Sequence, residues 1–436
     1  MKLEGKRTLV LGMKASGISA CNLLREKKAI VSYYDDFINP LPNDFENMKD
    51  KSMDEILYGV SLIVVSPSIT ERHDVILEAK KRRIPVISEL ELGASFLSCP
   101  IIAITGTNGK TTTACMLEKI FSATGKKVKT MGNIGYPVSQ VILDKTRLDI
   151  AIVEASGFQL ENIRAFHPYI SILTNLAPDH MERYSDFNEY IKVKTNIFKN
   201  QTERDFSLLN IDDKNVRGVY NACKGKVIAI SAKKRSAPVY IKDNYFFWQD
   251  DALCHIKEAR SRGEHNRYNL LMAINTALIF GCNREHILNL IRDYAPLPHR
   301  VEYVTTIRGK SFYNDSKGTN IHSCRYAINS LEGDIGLIMG GYDKNEDYSE
   351  FFENIDPKVK YVTATGSNAE KICSQALKMG YCNISLEESL EDCIYKLMEK
   401  DVMNILFSPS AASFDRYKNF AERGDVFKGL VYEIKP

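Results

Sequence analysis

Residues 105–112 read T-G-T-N-G-K-T-T, a mixture of glycines, hydroxyls, an amide and an amine that suits a phosphate. Glycine lets backbone N–H groups approach a phosphate oxygen, and the N-terminus of a following helix adds positive potential. In this reading Lys110 reaches the terminal phosphates and the Thr111 hydroxyl helps hold Mg²⁺. Gly106, Thr107, Asn108, Gly109 and Thr112 complete the cradle. The usual G-x-x-x-x-G-K spacing fails, because Ile104 stands where the first glycine belongs. A plain glycine turn is the bland alternative. The apolar run before it, the helical spacing after it and the lysine with two threonines oppose that alternative. Downstream, Glu154 closes the apolar run 149–153. Ligands of open α/β sheets gather at the carboxyl ends of strands, and a carboxylate there suits an oxygen-seeking cation. Taken alone, a strand-end glutamate is more often simply solvated.

These side chains need elements to position them. The first hundred residues alternate strand and helix signals: strand 7–12, helix 18–28, strand 30–34 ending on Asp35 and Asp36, strand 61–65 closed by Ser66-Pro67-Ser68, helix 72–83 and strand 85–87. That rhythm predicts a parallel, doubly wound sheet. A second start follows Pro100, with strands at 101–105, 128–131, 149–153 and 169–174 and helices at 110–124 and 187–199. Residues 238–254 predict a hairpin, and 266–281 and 284–294 predict helices. Pro296 and Pro298 punctuate a third start, with strands near 301–307, 335–339, 361–364 and 402–407. The expectation is an α/β chain of three domains: a Rossmann-like domain over 1–98, a P-loop-type ATPase domain over 99–297 and a second Rossmann-like domain over 298–436.

The composition excludes several classes. At 436 residues the chain is too long for one compact domain. Hydrophobic residues make up 44% and charged residues 26%, as in ordinary globular proteins, and a net charge of +3 gives no push toward nucleic acid or membrane. There is no signal-peptide h-region and no apolar run long enough to span a bilayer. The 10 cysteines include no C-x-x-C pair, which opposes zinc and thioredoxin-like readings and fits a reducing cytoplasm. A cytoplasmic monomer without nucleic-acid or membrane partners is expected.

The G-T-N-G-K-T-T turn resembles the ATP loop of the Mur ligases and of folylpolyglutamate synthase, and further segments resemble the Mur pattern. Residues 154–160, E-A-S-G-F-Q-L, resemble the family's E-x-S-x-F-Q-L, with Gly157 where serine is expected. Residues 175–184, N-L-A-P-D-H-M-E-R-Y, resemble N-x-x-x-D-H-[ML]-D-R-[YH]. The family resemblance makes Glu154 and His180 Mg²⁺ ligands, with Thr111 assisting. It also makes Lys194, in Y-I-K-V-K, a lysine carbamylated into an anion that faces the metal. A lysine amine takes up CO₂ only when neutral, so burial or nearby charge must lower its pKa. Without the family match, that lysine-rich helix reads as a solvated face. Gly132-Asn133-Ile134-Gly135 resembles a turn that meets substrate, and Glu264–Asn269 resembles G-x-H-N-x-x-N, whose asparagines Asn266 and Asn269 flank adenine; helix capping by Asn266 is the alternative.

The third unit narrows the branch. Residues 297–300, L-P-H-R, 314–320, N-D-S-K-G-T-N, 340–344, G-G-Y-D-K, and 408–420, S-P-S-A-A-S-F-D-R-Y-K-N-F, resemble the family's D-glutamate-adding branch. The segments that mark its diaminopimelate-, lysine- and alanine-adding branches and the folate ligases are absent. The resemblance therefore implies ligation of D-glutamate to UDP-N-acetylmuramoyl-L-alanine with ATP and Mg²⁺. It gives ATP contacts to Arg300, Asp315 and Lys317, and D-glutamate contacts to Thr319, Lys344, Ser413 and Phe420. The first loop, G-M-K-A-S-G over 12–17, nearly reads G-x-G-x-x-G, but Lys14 replaces the middle glycine and argues against a dinucleotide-binding dehydrogenase. By resemblance that loop holds UDP instead. The implied UDP-sugar contacts are Met13, Lys14, Ala15, Ser16, Gly17, Asp35, Ser66 and Ser68, where the family usually has glycine at 68. Asn133, Ser156, Gln159 and His180 complete them. The rivals are another Mur-family or folylpolyglutamate-type amide ligase and a nucleotide-binding regulator without catalysis.

Overall fold

The computed structural model describes residues 1–36, 45–179, 181, 183–261, 263–295 and 298–435. His180, and Pro296 and Leu297 at the expected third start, lie outside them.

The first sheet contains β1 (Arg7–Leu11), β2 (Ile30–Tyr34), β3 (Glu46–Asn47), β4 (Val60–Val65) and β5 (Val86–Ser88), all parallel, in the order β3-β2-β1-β4-β5. The second contains β6 (Ile101–Thr105), β7 (Val128–Gly132), β8 (Ile150–Glu154), β9 (Ile170–Leu173), β10 (Phe206–Asn210) and β11 (Lys226–Ile230). These strands are also all parallel, in the order β11-β10-β9-β6-β8-β7. Parallel strands covered on both faces read as continuous apolar runs, and β6, β8 and β9 are buried at every position. Each fully buried Leu or Ile there contributes roughly 1.5–3 kcal/mol.

An antiparallel sheet follows, with β12 (Val239–Lys242), β13 (Tyr245–Trp248) and β14 (Asp251–His255). The sequence predicts one hairpin here; the chain makes two, because Asp243, Asn244 and Gln249 all take left-handed backbone angles and close two tight turns. The last sheet contains β15 (Glu302–Ile307), β16 (Lys310–Asn314), β17 (Ile335–Met339), β18 (Val359–Ala364), β19 (Ile384–Leu386) and β20 (Asn404–Phe407), in the order β15-β16-β20-β17-β18-β19. Its β15 edge is antiparallel and the rest is parallel.

The chain packs as two compact units, 1–258 with 268–291, and 259–267 with 292–436. Within the first unit the two parallel sheets are tied by buried carboxylates. Glu91 accepts the backbone N–H groups of Arg164, Ala165 and Phe166 at 2.8–2.9 Å, and Glu89 accepts that of Ser139 at 2.6 Å. In each large sheet one central strand, β1, β6 or β20, divides two groups of strands that are each consecutive in sequence. The crevice outside the carboxyl end of such a strand is where ligands of open α/β sheets sit. The candidate residues below lie mostly on segments that leave the carboxyl ends of strands in these sheets, and Lys194 and Arg423 reach in from helices.

Candidate functional site

In the first unit, β6 runs into the turn at Gly106 and then into the helix Lys110–Ala123. Gly109 is that helix's N-cap, with φ +85°, a left-handed angle that favours glycine. The turn is held from β9: Thr174 Oγ1 donates to Asn108 O at 2.6 Å, and Asn175 Oδ1 accepts the Asn108 N–H at 2.9 Å. Lys110 Nζ donates to Gly106 O and Thr107 O at 2.9 and 2.8 Å. Thr107 Oγ1 donates to Ala177 O and lies 2.9 Å from Tyr190 Oη, and Thr111 and Thr112 are buried in the helix's first turn. Asn269 Oδ1 accepts from Thr113 Oγ1 at 3.2 Å, which sets Asn269 beside the turn. The roles of Thr174 and Asn175 are not evident from sequence; their position at the end of β9 is the signal.

Lys194, on the helix Phe187–Thr195, is buried and donates to Gly106 O at 3.0 Å. Burial, and then the charge of Lys110, hold its pKa well below the usual lysine value, against Asp179 and Glu154. Glu154 is also buried. Its Oε1 accepts from Asn133 Nδ2 at 2.9 Å, while Oε2 has no hydrogen-bond partner. A sealed carboxylate oxygen without a donor is costly and fits a cation. Among the described residues no three His, Cys, Asp or Glu side chains form a metal cluster. The expected set differs in kind: one carboxylate, one hydroxyl, a modified lysine, and His180, which lies outside the described residues. The buried Glu154 carboxylate is an oxygen donor of the kind Mg²⁺ takes, and the lowered pKa of Lys194 beside it is what uptake of CO₂ by that amine requires.

Ser156 and Gln159 answer to each other: each side chain caps the other's backbone N–H at the start of the helix Gly157–Glu161. Gly157 has its own neighbour, since a Cβ there would stand 2.8 Å from the Tyr184 hydroxyl. Around β1, Asp35 Oδ2 accepts the Met13 N–H at 2.6 Å, and Ser66 Oγ donates to Gly12 O at 2.6 Å. Gly17 is buried against that loop, and a Cβ on it would meet Gly12 O at 1.9 Å. Lys14, Ala15 and Ser68 are exposed and Ser16 is half-buried.

In the second unit the segments carrying the amino-acid candidates converge. The turn after β16, bearing Thr319, meets the segment after β20 through Ser410 N–H to Gly318 O at 2.9 Å. That segment, bearing Ser413, meets the turn after β17, bearing Lys344, through Tyr342 N–H to Ala412 O at 2.9 Å. Ser316 Oγ donates to Phe420 O at 2.8 Å, and Lys317 Nζ lies 4.8 Å over the Phe420 ring. Buried Asp315 accepts from Ser408 Oγ at 2.7 Å, and burial pushes its pKa up to about 7, against that hydrogen bond and Arg300. Half-buried Arg300, with buried Asn266, belongs to this unit. A residue that sequence reading passes over is Arg423. It is buried and donates to Ser316 Oγ and O and to Ala411 and Ala412 O at 2.8–3.1 Å, holding two of the three turns together. An arginine inside an apolar helix face is the signal for it.

Comparison with known proteins follows the same lines. The Mur ligase middle domain matches residues 104–277, and the Mur ligase glutamate ligase domain matches 299–410. The UDP-N-acetylmuramoylalanine–D-glutamate ligase of Thermoanaerobacter pseudethanolicus is 38% identical, with 100% of each chain covered. The ligase of the same name from Caldanaerobacter subterraneus is 37% identical, also over 100% of each. Among solved structures, a pseudomurein peptide ligase type C from Methanothermus fervidus aligns with a TM-score of 0.62 at 16% identity, covering 99% of this chain and 100% of that one. The UDP-N-acetylmuramate–alanine ligase of Thermotoga maritima aligns at 0.59 and 15% identity, with the same coverage.

Proposed function

The chain belongs to the Mur ligase family, and on that premise we propose that it ligates D-glutamate to UDP-N-acetylmuramoyl-L-alanine with ATP, in peptidoglycan precursor synthesis. The observation that carries the chemistry is the meeting of buried Glu154 and buried Lys194 at the turn that bears Lys110. The full-length relatives named for D-glutamate support the choice of amino acid.

A carboxylate and an amine do not condense in water near neutral pH, since one is a poor electrophile and the other is protonated. In the proposed route a donor carboxylate oxygen bonds to the γ-phosphorus as the bond to the β–γ bridging oxygen breaks, releasing ADP. The D-glutamate amine then bonds to the acyl carbon, the acyl C–O bond breaks, and phosphate leaves as the amine gives up a proton. Lys110 stabilises charge on the transferred phosphoryl group. Mg²⁺ held by Thr111, Glu154, His180 and a carbamate on Lys194 would neutralise phosphate charge. Asn266 and Asn269 flank adenine, and Arg300, Asp315 and Lys317 serve ATP. Residues 13–17, Asp35, Ser66, Ser68, Asn133, Ser156, Gln159 and His180 serve the UDP-sugar. Lys344 and Thr319 receive the side-chain carboxylate of D-glutamate, with Ser413 and the Phe420 backbone. The convergence of those last three turns supports that assignment.

Phosphate release is measured with UDP-N-acetylmuramoyl-L-alanine and, in turn, D-glutamate, L-glutamate, L-alanine, L-lysine and meso-diaminopimelate. D-glutamate alone should drive rapid release. Equal use of another amino acid defeats the substrate assignment and leaves the wider ligase reading standing.

A further inference from the structure

Arg183 follows the D-H-M-E stretch and is almost wholly buried, its side chain 10% exposed. Its guanidinium grips Glu161 with both arms, Nε to Oε1 at 3.0 Å and Nη2 to Oε2 at 2.5 Å. The ring of Phe158 lies 4.0 Å beneath it. The remaining donors cross to the N-terminal sheet: Nη1 to Pro67 O at 2.9 Å and Nη2 to Ile69 O at 3.0 Å. Those carbonyls belong to the loop after β4, whose Ser66 holds Gly12 O. The same stretch of the central sheet touches the N-terminal sheet again through Ser88 N–H to Asn162 O at 2.9 Å and through Asn162 Nδ2 to Glu71.

We propose that Arg183 is a positioning residue that sets the distance between the loop 66–69 and the acyl-transfer centre at Glu154 and Lys194. The inference rests on the reading that loops 12–17 and 66–69 hold the uridylyl end of the donor. A donor that spans two anchor points binds well only when their separation matches its length. A planar fork bound bidentately on one side and donating to two carbonyls on the other fixes that separation. Lysine keeps the charge but lacks the fork.

The test uses the full protein and two donors, UDP-N-acetylmuramoyl-L-alanine and a shortened donor that ends at its sugar 1-phosphate. For the parent, kcat/KM should favour the full donor. In Arg183→Gln, the KM for the full donor should rise by about tenfold, read as lost binding rather than lost chemistry. The KM for ATP and the kcat/KM for the shortened donor should stay within about twofold, because neither reaches the loop. If Arg183→Gln does not fold, Arg183→Lys is read in the same way. Guanidinium at sub-denaturing concentration should partly restore Arg183→Gly with the full donor only. An undiminished preference in the variants, or an equal loss on both donors, overturns this inference alone. A parent without any preference overturns the loop assignment and the inference with it.

Discussion

After β1 the chain turns through residues 12–14 into the helix Ala15–Glu26, and after β6 it turns through residues 106–109 into the helix Lys110–Ala123. Both turns lie at the carboxyl end of a central strand and both depend on glycine. They differ in what the neighbouring strand supplies. At the first, β2 ends on Asp35, whose carboxylate takes the Met13 N–H. At the second, β9 ends on Thr174 and Asn175, which hold the turn through neutral groups, and the helix opens on Lys110. The first turn is thus braced by the Asp35 side chain and carries Lys14, while the second is braced by Thr174 and Asn175 and carries Lys110. One strand–turn–helix geometry is thus braced in two ways, and the side chains at the adjacent strand end supply the brace.

The largest effect should come from the charge at the second turn. Lys110→Ala should lower the rate of phosphate release by about 10²–10³-fold. Lys194→Ala should be nearly inactive and partly restored by small carboxylic acids standing where the carbamate would. A near-parental Lys110→Ala enzyme would erase the contrast between the turns, and a fully active Lys194→Ala enzyme without additive removes the carbamate. The glycines differ next. Gly17→Ala drives a Cβ to 1.9 Å from a carbonyl oxygen, and should cost about 3 kcal/mol through overpacking. Gly109→Ala keeps a left-handed angle and meets only the end of the Asn269 side chain at 2.5 Å, and should cost about 1–2 kcal/mol. Urea unfolding ranks the two; the reverse order breaks the claim that the first turn is the more tightly packed.

A pH-dependent effect of similar size concerns the seam between the two turn-bearing sheets. Burial of Glu89 raises its pKa from 4.5 to about 6, against the Ser139 hydrogen bonds. An acid whose folded pKa is raised favours folding in its protonated form. Stability is thus fullest below pH 4.5, falls as pH rises to about 6 and stays lower above. Glu89→Gln should remove that fall and gain about 2 kcal/mol at pH 8 relative to its effect at pH 4. A pH-independent effect in paired unfolding curves would show that Glu89 is not held in this way.

How much could be read in advance follows from how local each feature is. The turn at 105–112 is legible because its glycines, lysine, threonines and helix start are consecutive, and the apolar runs of β6, β8 and β17 are legible because both faces of those strands are covered. Lys310–Asn314 has no apolar run and is a strand only because β15 and β20 pair with it. Ser156 and Gln159, expected from the family resemblance as substrate contacts, also form a capping box, which the S-x-x-Q spacing announces locally.

The sequence by itself determined the alternation of strands and helices, the phosphate turn and the family, because hydrophobic periodicity and motif spacing act over a few residues. Only the tertiary structure decided that Arg183 joins Pro67 and Ile69 to Glu161 and that Arg423 joins Ser316 to Ala411 and Ala412. It also decided that Asp35 fills the Met13 amide and that Lys194 is sealed against Gly106. Each of these contacts closes a loop in the chain, from 11 residues for Arg423 with Ala412 to 116 for Arg183 with Pro67. A side chain's burial and charge partners exist only once packing has closed those loops, so its chemistry cannot be read from its neighbours in sequence.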